Sequence, residues 1–142
     1  MMKLAIASLA ATLAIVLAAC SSDNAEPEPA LELSAGGGDE MMSCLAFDPA
    51  ILAEMPLAFE GTATAVDGDR VSLDVDRWFK GGDAAEVVLV APQGFEALIA
   101  GFPFEVGGHY LISATDGQVN YCGFSGEATP ELRTGFEAAF GS

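Results

Sequence analysis

Phe59-Glu60-Gly61-Thr62-Ala63-Thr64-Ala65-Val66-Asp67-Gly68-Asp69-Arg70-Val71-Ser72-Leu73-Asp74-Val75-Asp76 decides the fold class. Phe59, Gly61, Ala63 and Ala65 alternate with Glu60, Thr62 and Thr64. After the break, Val71, Leu73 and Val75 alternate with Ser72, Asp74 and Asp76. A period of two describes strands with one dry and one wet face. Asp67-Gly68 is a turn dipeptide that joins two such strands tightly. The stretch therefore predicts a β-hairpin with an acidic outer face.

Downstream, Lys80-Gly81-Gly82-Asp83 breaks the second strand, and Glu86 to Ala91, with Val-Val-Leu-Val, reads as a more buried strand. Pro92 to Gly108 is irregular and apolar. Tyr110 to Ala114 and Val119 to Cys122 read as two further strands around an Asp116-Gly117 turn. Helices flank this sheet. Asp48-Pro49 is a helix start, with Asp as N-cap and Pro in the first turn, and places Ile51, Leu52 and Met55 on one face before Pro56. Thr129-Pro130 starts a second helix with Leu132, Phe136 and Phe140 on one stripe and Gly141 at its end. The expectation is a mainly β domain over residues 42–142: five short antiparallel strands closed into a small barrel, which removes exposed strand edges, with two short peripheral helices.

The N-terminus reads as a targeting segment. Met1-Met2-Lys3 is a short positive start, and Leu4 to Leu17 is nearly unbroken Ala, Leu, Ile and Val. That pattern describes a secretory signal, and the run falls short of the roughly 20 residues a spanning helix needs. It ends in Leu17-Ala18-Ala19-Cys20, which resembles the lipobox of bacterial lipoproteins. The resemblance implies cleavage after residue 19, acylation of Cys20 and attachment to the extracytoplasmic face of a membrane. In cells with two membranes this means the outer membrane, since no Asp follows Cys20; in cells with one it means the outer leaflet. Two or more acyl chains anchor stably where one holds only marginally. Residues 20–41 carry Glu-Pro repeats and Gly36-Gly37-Gly38 and read as an acidic tether.

Removing residues 1–19 takes away Lys3 and leaves Arg70, Arg77, Lys80 and Arg133 against 21 acidic residues, from a starting net charge of −16. So few cations exclude a nucleic-acid partner, which needs them to displace phosphate counterions. With Cys20 acylated, Cys44 and Cys122 remain. Outside the cytoplasm such a pair forms a disulfide; the alternative is two buried free thiols.

Three motifs in this order resemble bacterial domains similar to the N-terminal domain of tissue inhibitors of metalloproteinases. Phe59-Glu60-Gly61-Thr62-Ala63 resembles their first strand. Val75-Asp76-Arg77-Trp78-Phe79-Lys80-Gly81 resembles their second strand and turn, with one extra aromatic residue. Phe104-Glu105-Val106-Gly107-Gly108-His109-Tyr110-Leu111-Ile112 resembles a later strand. The resemblance implies a netrin-like, OB-type barrel and places Cys44 and Cys122 where that family has a bridged pair. The family's inhibitory chemistry does not carry over. Its animal members chelate protease zinc through the free amine and carbonyl of their first residue, a cysteine. Here Met42 stands at that position, and its nitrogen is an internal amide with no lone pair to give.

The composition offers little catalytic chemistry. His109 is the one histidine, at a strand start, and one His with two bridged cysteines falls short of a zinc site. Asp67, Asp69, Asp74 and Asp76 do not follow the spacing of an EF-hand loop, and read as a solvated face paired in part with Arg70 and Arg77. No metal, cofactor or enzymatic activity is expected. Trp78, Phe79 and Phe95 are the candidate binding surface. The expected role is a membrane-tethered, non-catalytic binding module for an envelope or extracellular protein; the alternatives are a structural or stress-related envelope component without a dedicated ligand and, ranked below it, an uncharacterised hydrolase or protease inhibitor.

Overall fold

The computed structural model describes residues 26, 28–36, 44–92, 94 and 102–141. Seven strands lie among them: β1 (Leu31–Ser34), β2 (Leu57–Asp67), β3 (Arg70–Lys80), β4 (Glu86–Val90), β5 (His109–Thr115), β6 (Gln118–Val119) and β7 (Gly126–Glu127). Two helices, α1 (Pro49–Glu54) and α2 (Pro130–Phe140), accompany them. The strands run in the order β2-β3-β4-β1-β6-β5, and β5 pairs back onto β2, so six strands close a barrel; β7 pairs antiparallel with the start of β5.

The hairpin forms where the alternation places it, and both its strands run to eleven residues. Asp67 pairs with Arg70 across a two-residue turn of Gly68 and Asp69, with Gly68 at φ +57°. The register between β2 and β3 shifts at three places, between Ala58 and Phe59, Glu60 and Gly61, and Ala63 and Ala65. Such bulges bend and twist a ribbon, and here they curl the long hairpin enough for β2 to reach β5. At Gly61 an added Cβ would lie 2.9 Å from the Asp74 carbonyl oxygen, so this inward position of the curled strand takes only hydrogen.

The barrel is filled by its inward side chains. Phe59, Val71, Leu73, Val87, Leu89 and Ile112 are fully buried in one cluster, with Leu33 and Tyr121 nearly so. A second cluster lies outside the barrel wall. There Leu52 of α1 and Phe136 of α2 pack with Ala58, Leu111 and Phe124. Both helix starts follow the sequence reading. Asp48 Oδ1 accepts from the Ala50 amide at 2.8 Å, and Thr129 Oγ1 accepts from the Leu132 amide at 3.2 Å. Gly141 ends α2 at φ +85°. Among the described residues no helix is long and apolar enough to cross a membrane.

Two expectations are corrected. The barrel has six strands, because Leu31–Ser34 pairs in parallel with both β4 and β6 instead of forming part of the tether over 20–41. Leu31, Leu33 and Ala35 alternate with Glu32 and Ser34, so the segment puts aliphatic groups on one face like any other strand. Secondly, the last strand of the barrel stops at Val119. Asn120 Nδ2 donates to Thr115 Oγ1 at 3.1 Å, Tyr121 turns its ring into the core, and Cys122 adopts φ +62°. A chain so redirected leaves the ladder.

Candidate functional site

Four surface features can be built from the residues upward. The first is the disulfide corner. Cys44 and Cys122 are bonded, with Cα atoms 5.4 Å apart. The bridge pins the segment before α1 against the segment after β6. Phe47 then lies 5.4 Å from the Phe124 ring and so close to Gly135 of α2 that an added Cβ there would sit 2.5 Å from its ring. Gly135 is thus the seat that lets Phe47 approach the helix. Leu45 is 64% exposed and Phe47 38%, so this fixed corner presents apolar groups to solvent. The sequence signal for it, Leu-Ala-Phe between a bridged cysteine and a helix cap, is visible only in hindsight.

The second feature separates Trp78 from Phe79. They are neighbours on β3 and therefore face opposite sides of the sheet. Trp78 packs against the barrel core 5.0 Å from Phe59, and its Nε1–H donates to the Ala84 carbonyl at 2.8 Å. Phe79 faces outward under α2, 5.4 Å from Phe136 and 5.8 Å from Phe140. The expectation that they share one binding surface is corrected: both are half-buried packing residues on different sides of the wall. Phe95 lies outside the described residues, as do Cys20 and Met42.

The third feature joins three strands on the outer face. Thr62 Oγ1 of β2 donates to Asp76 Oδ2 of β3 at 2.7 Å and lies 3.0 Å from His109 Nδ1 of β5; the His109–Asp76 distance is 3.6 Å. A hydroxyl nucleophile needs its proton aimed at one imidazole nitrogen, with the carboxylate on the other. Here hydroxyl and carboxylate crowd the same nitrogen, and the threonine proton goes to Asp76. These contacts tie β2, β3 and β5 together on the outer face.

Fourthly, each of the four cations of the domain is engaged within the molecule. Arg70 pairs with Glu32 at 3.0 Å and Arg133 with Glu60 at 2.5 Å; Lys80 Nζ donates to the Ala53 carbonyl at 2.8 Å. The Arg77 guanidinium lies 3.9 Å over the Phe79 ring. The expected pairing of Arg70 and Arg77 with the hairpin aspartates does not occur: Arg70 reaches Glu32 of β1, and Arg77 lies over Phe79 two residues along its own strand. Among the described residues no three His, Cys, Asp or Glu side chains converge as a metal site.

Two buried phenols complete the electrostatics. Burial raises the Tyr110 hydroxyl, whose oxygen accepts from the Glu105 amide at 2.7 Å. Burial pushes Tyr121 up to about 12, and its hydroxyl donates to the Ala35 carbonyl at 2.5 Å. An acid whose folded pKa is raised contributes its stability in full below its unfolded value near 10, and that contribution is lost as pH climbs through about 12. Tyr121→Phe is therefore expected to cost about 1–2 kcal/mol at neutral pH by orphaning the Ala35 carbonyl. Above pH 10 its stability should fall less steeply than that of the parent, so that the two curves converge. Urea melts across pH 7 to 12 measure this; parallel curves would remove Tyr121 as a source of alkaline unfolding.

A scan against protein-family models matches none of them with this chain, and a search of curated proteins finds no match.

Proposed function

We propose that this chain is a membrane-anchored, extracytoplasmic lipoprotein whose OB-type barrel is a non-catalytic protein-binding module. The observation that carries the binding reading is the exposed Leu45–Phe47 corner, held by a disulfide and by the Gly135 seat. Apolar groups on a rigid mount lose little entropy when a partner covers them, and rigid central anchors dominate protein–protein affinity. The barrel interior is packed with side chains, which directs recognition to the outside. The hydroxyl–imidazole geometry at Thr62 and His109 also favours a non-catalytic role.

The OB-type assignment is supported by topology. The five strands read from sequence follow one another around the ring as β2-β3-β4 and β6-β5, and β1 enters between β4 and β6. A five-stranded OB barrel is itself partly open. The anchor rests on the Leu17-Ala18-Ala19-Cys20 motif. With β1 starting at Leu31, ten residues connect the lipid to the barrel, a reach of at most about 35 Å. The partner is accordingly an envelope or extracellular protein met close to the bilayer.

Mass spectrometry of the mature protein, before and after reduction, tests the anchor: the expected species begins at an acylated Cys20. An intact Met1 would sink this reading. For the binding role, Leu45→Asp is expected to abolish cross-linking to a neighbouring protein in intact envelopes without changing the thermal midpoint. An unchanged cross-linking pattern would move the binding surface elsewhere.

A further inference from the structure

The Leu45–Phe47 corner has a charge setting as well as an apolar one. Residues 44–48 are all exposed. Phe47 rests on Gly135 of α2 and beside Phe124, which leaves the remainder of its side chain to solvent. Two carboxylates border this ridge. Asp48 follows Phe47 directly and caps α1. Glu131 lies one helical turn before Gly135, on the same stripe of α2 that receives the ring. Both acids are exposed, and among the described residues neither has an ion-pair partner.

The cations of the helical layer lie elsewhere. Arg133 reaches Glu60, and Arg77 lies over Phe79, which packs on Phe136 and Phe140. Residues 133, 136 and 140 form one flank of α2, and residues 131 and 135 form the other. Lys80 donates to the Ala53 carbonyl near the end of α1, whereas Asp48 stands at its start. Arg70 is held by Glu32 of β1. The corner is therefore bordered by acids whose charge nothing nearby offsets, on a chain whose net charge is −16.

This selects among the surfaces that could cover Leu45 and Phe47. The centre of a contact is apolar, and charge at its rim decides which partner is accepted. An acidic segment would be repelled, and so would an anionic lipid surface. A segment that sets Lys or Arg beside aliphatic or aromatic groups gains at the centre and at the rim.

We propose that the partner seated at this corner is cationic: a protein segment that lays an apolar stripe on Leu45 and Phe47 and brings Lys or Arg to Asp48 and Glu131. The inference rests on the binding role of the corner and adds the chemistry of what binds there.

The test uses the full chain carrying Cys20→Ser, with the Cys44–Cys122 bridge intact. Three labelled peptides share one leucine stripe at helical spacing and carry Lys, Gln or Glu on the polar face. Fluorescence anisotropy at low salt is expected to show the Lys peptide bound about fivefold more tightly than the Gln peptide, with the Glu peptide unbound. Leu45→Ser should weaken the Lys and Gln peptides alike, by about tenfold. The double variant Asp48→Asn/Glu131→Gln keeps a side-chain cap on α1. It should remove most of the preference for Lys and leave the Gln peptide unchanged; added salt should act in the same direction.

Equal binding of the Lys and Gln peptides, both sensitive to Leu45→Ser, would overturn the cationic partner and leave the corner standing as an apolar binding site. Lys-peptide binding that ignores Leu45→Ser, or a preference that survives Asp48→Asn/Glu131→Gln, would show attraction to the general negative charge and overturn the proposal. Corner-dependent binding to phosphatidylcholine vesicles with no peptide bound would overturn it in favour of a membrane. Absence of all peptide binding would overturn it too, and cross-linking in envelopes would then judge the binding role separately.

Discussion

Reducing the Cys44–Cys122 bridge lowers the stability of the folded domain by about 4 kcal/mol. The bond closes a loop with a sequence separation of 78, which encloses α1 and strands β2 to β6. In the chain-entropy account, opening a loop of that size returns about 4 kcal/mol of freedom to the unfolded ensemble. For a domain of about 100 residues that corresponds to a drop in melting temperature on the order of 20 °C. The effect is also local. Phe47 stays near Phe124 and Gly135 because Cys44 is held there, so reduction releases the Leu45–Phe47 corner before the barrel melts. Thermal melts with and without a phosphine reductant, and of the Cys44→Ala/Cys122→Ala double variant, give the number. A midpoint unmoved by either treatment would show that the barrel core alone sets the stability.

Much of this architecture was legible because local rules and tertiary demands agree. The β2–β3 hairpin declares itself through alternation, and both helices through Asp-Pro and Thr-Pro starts. The bridge was expected from the count of two cysteines within the domain, Cys44 and Cys122. The failures have equally physical causes. Trp78 and Phe79 look like one aromatic patch along the chain, yet the period of a strand sends neighbours to opposite faces. Once β3 is seen to run to Lys80, the patch dissolves. The clamp of Thr62, Asp76 and His109 depends on the register of three strands, with separations of 14 and 47 residues, and no window of sequence contains it. Leu45 and Phe47 stand out only after the bridge and Gly135 have fixed where they point.

The strand hidden in the acidic leader has the largest consequence. Leu31-Glu32-Leu33-Ser34 sits between a Glu-Pro stretch and a glycine run, and composition averaged over that neighbourhood conceals two leucines of strand period. If β1 is structural, Leu33→Asp is expected to cost at least about 4 kcal/mol: Leu-to-small changes in cores cost about 2–5 kcal/mol, and an unpaired carboxylate adds its desolvation. Leu33 is 2% exposed in the barrel core, against Phe59, Leu73 and Leu89 in the same cluster. Because domains hold only about 5–15 kcal/mol in all, such a variant should be largely unfolded at moderate urea. Glu32→Ala, which removes an exposed partner of Arg70, should change stability by less than about 1 kcal/mol. A segment acting as a spacer would tolerate both changes alike. A closing strand tolerates only the second, and equal urea midpoints for Leu33→Asp, Glu32→Ala and the parent would return residues 31–34 to the tether.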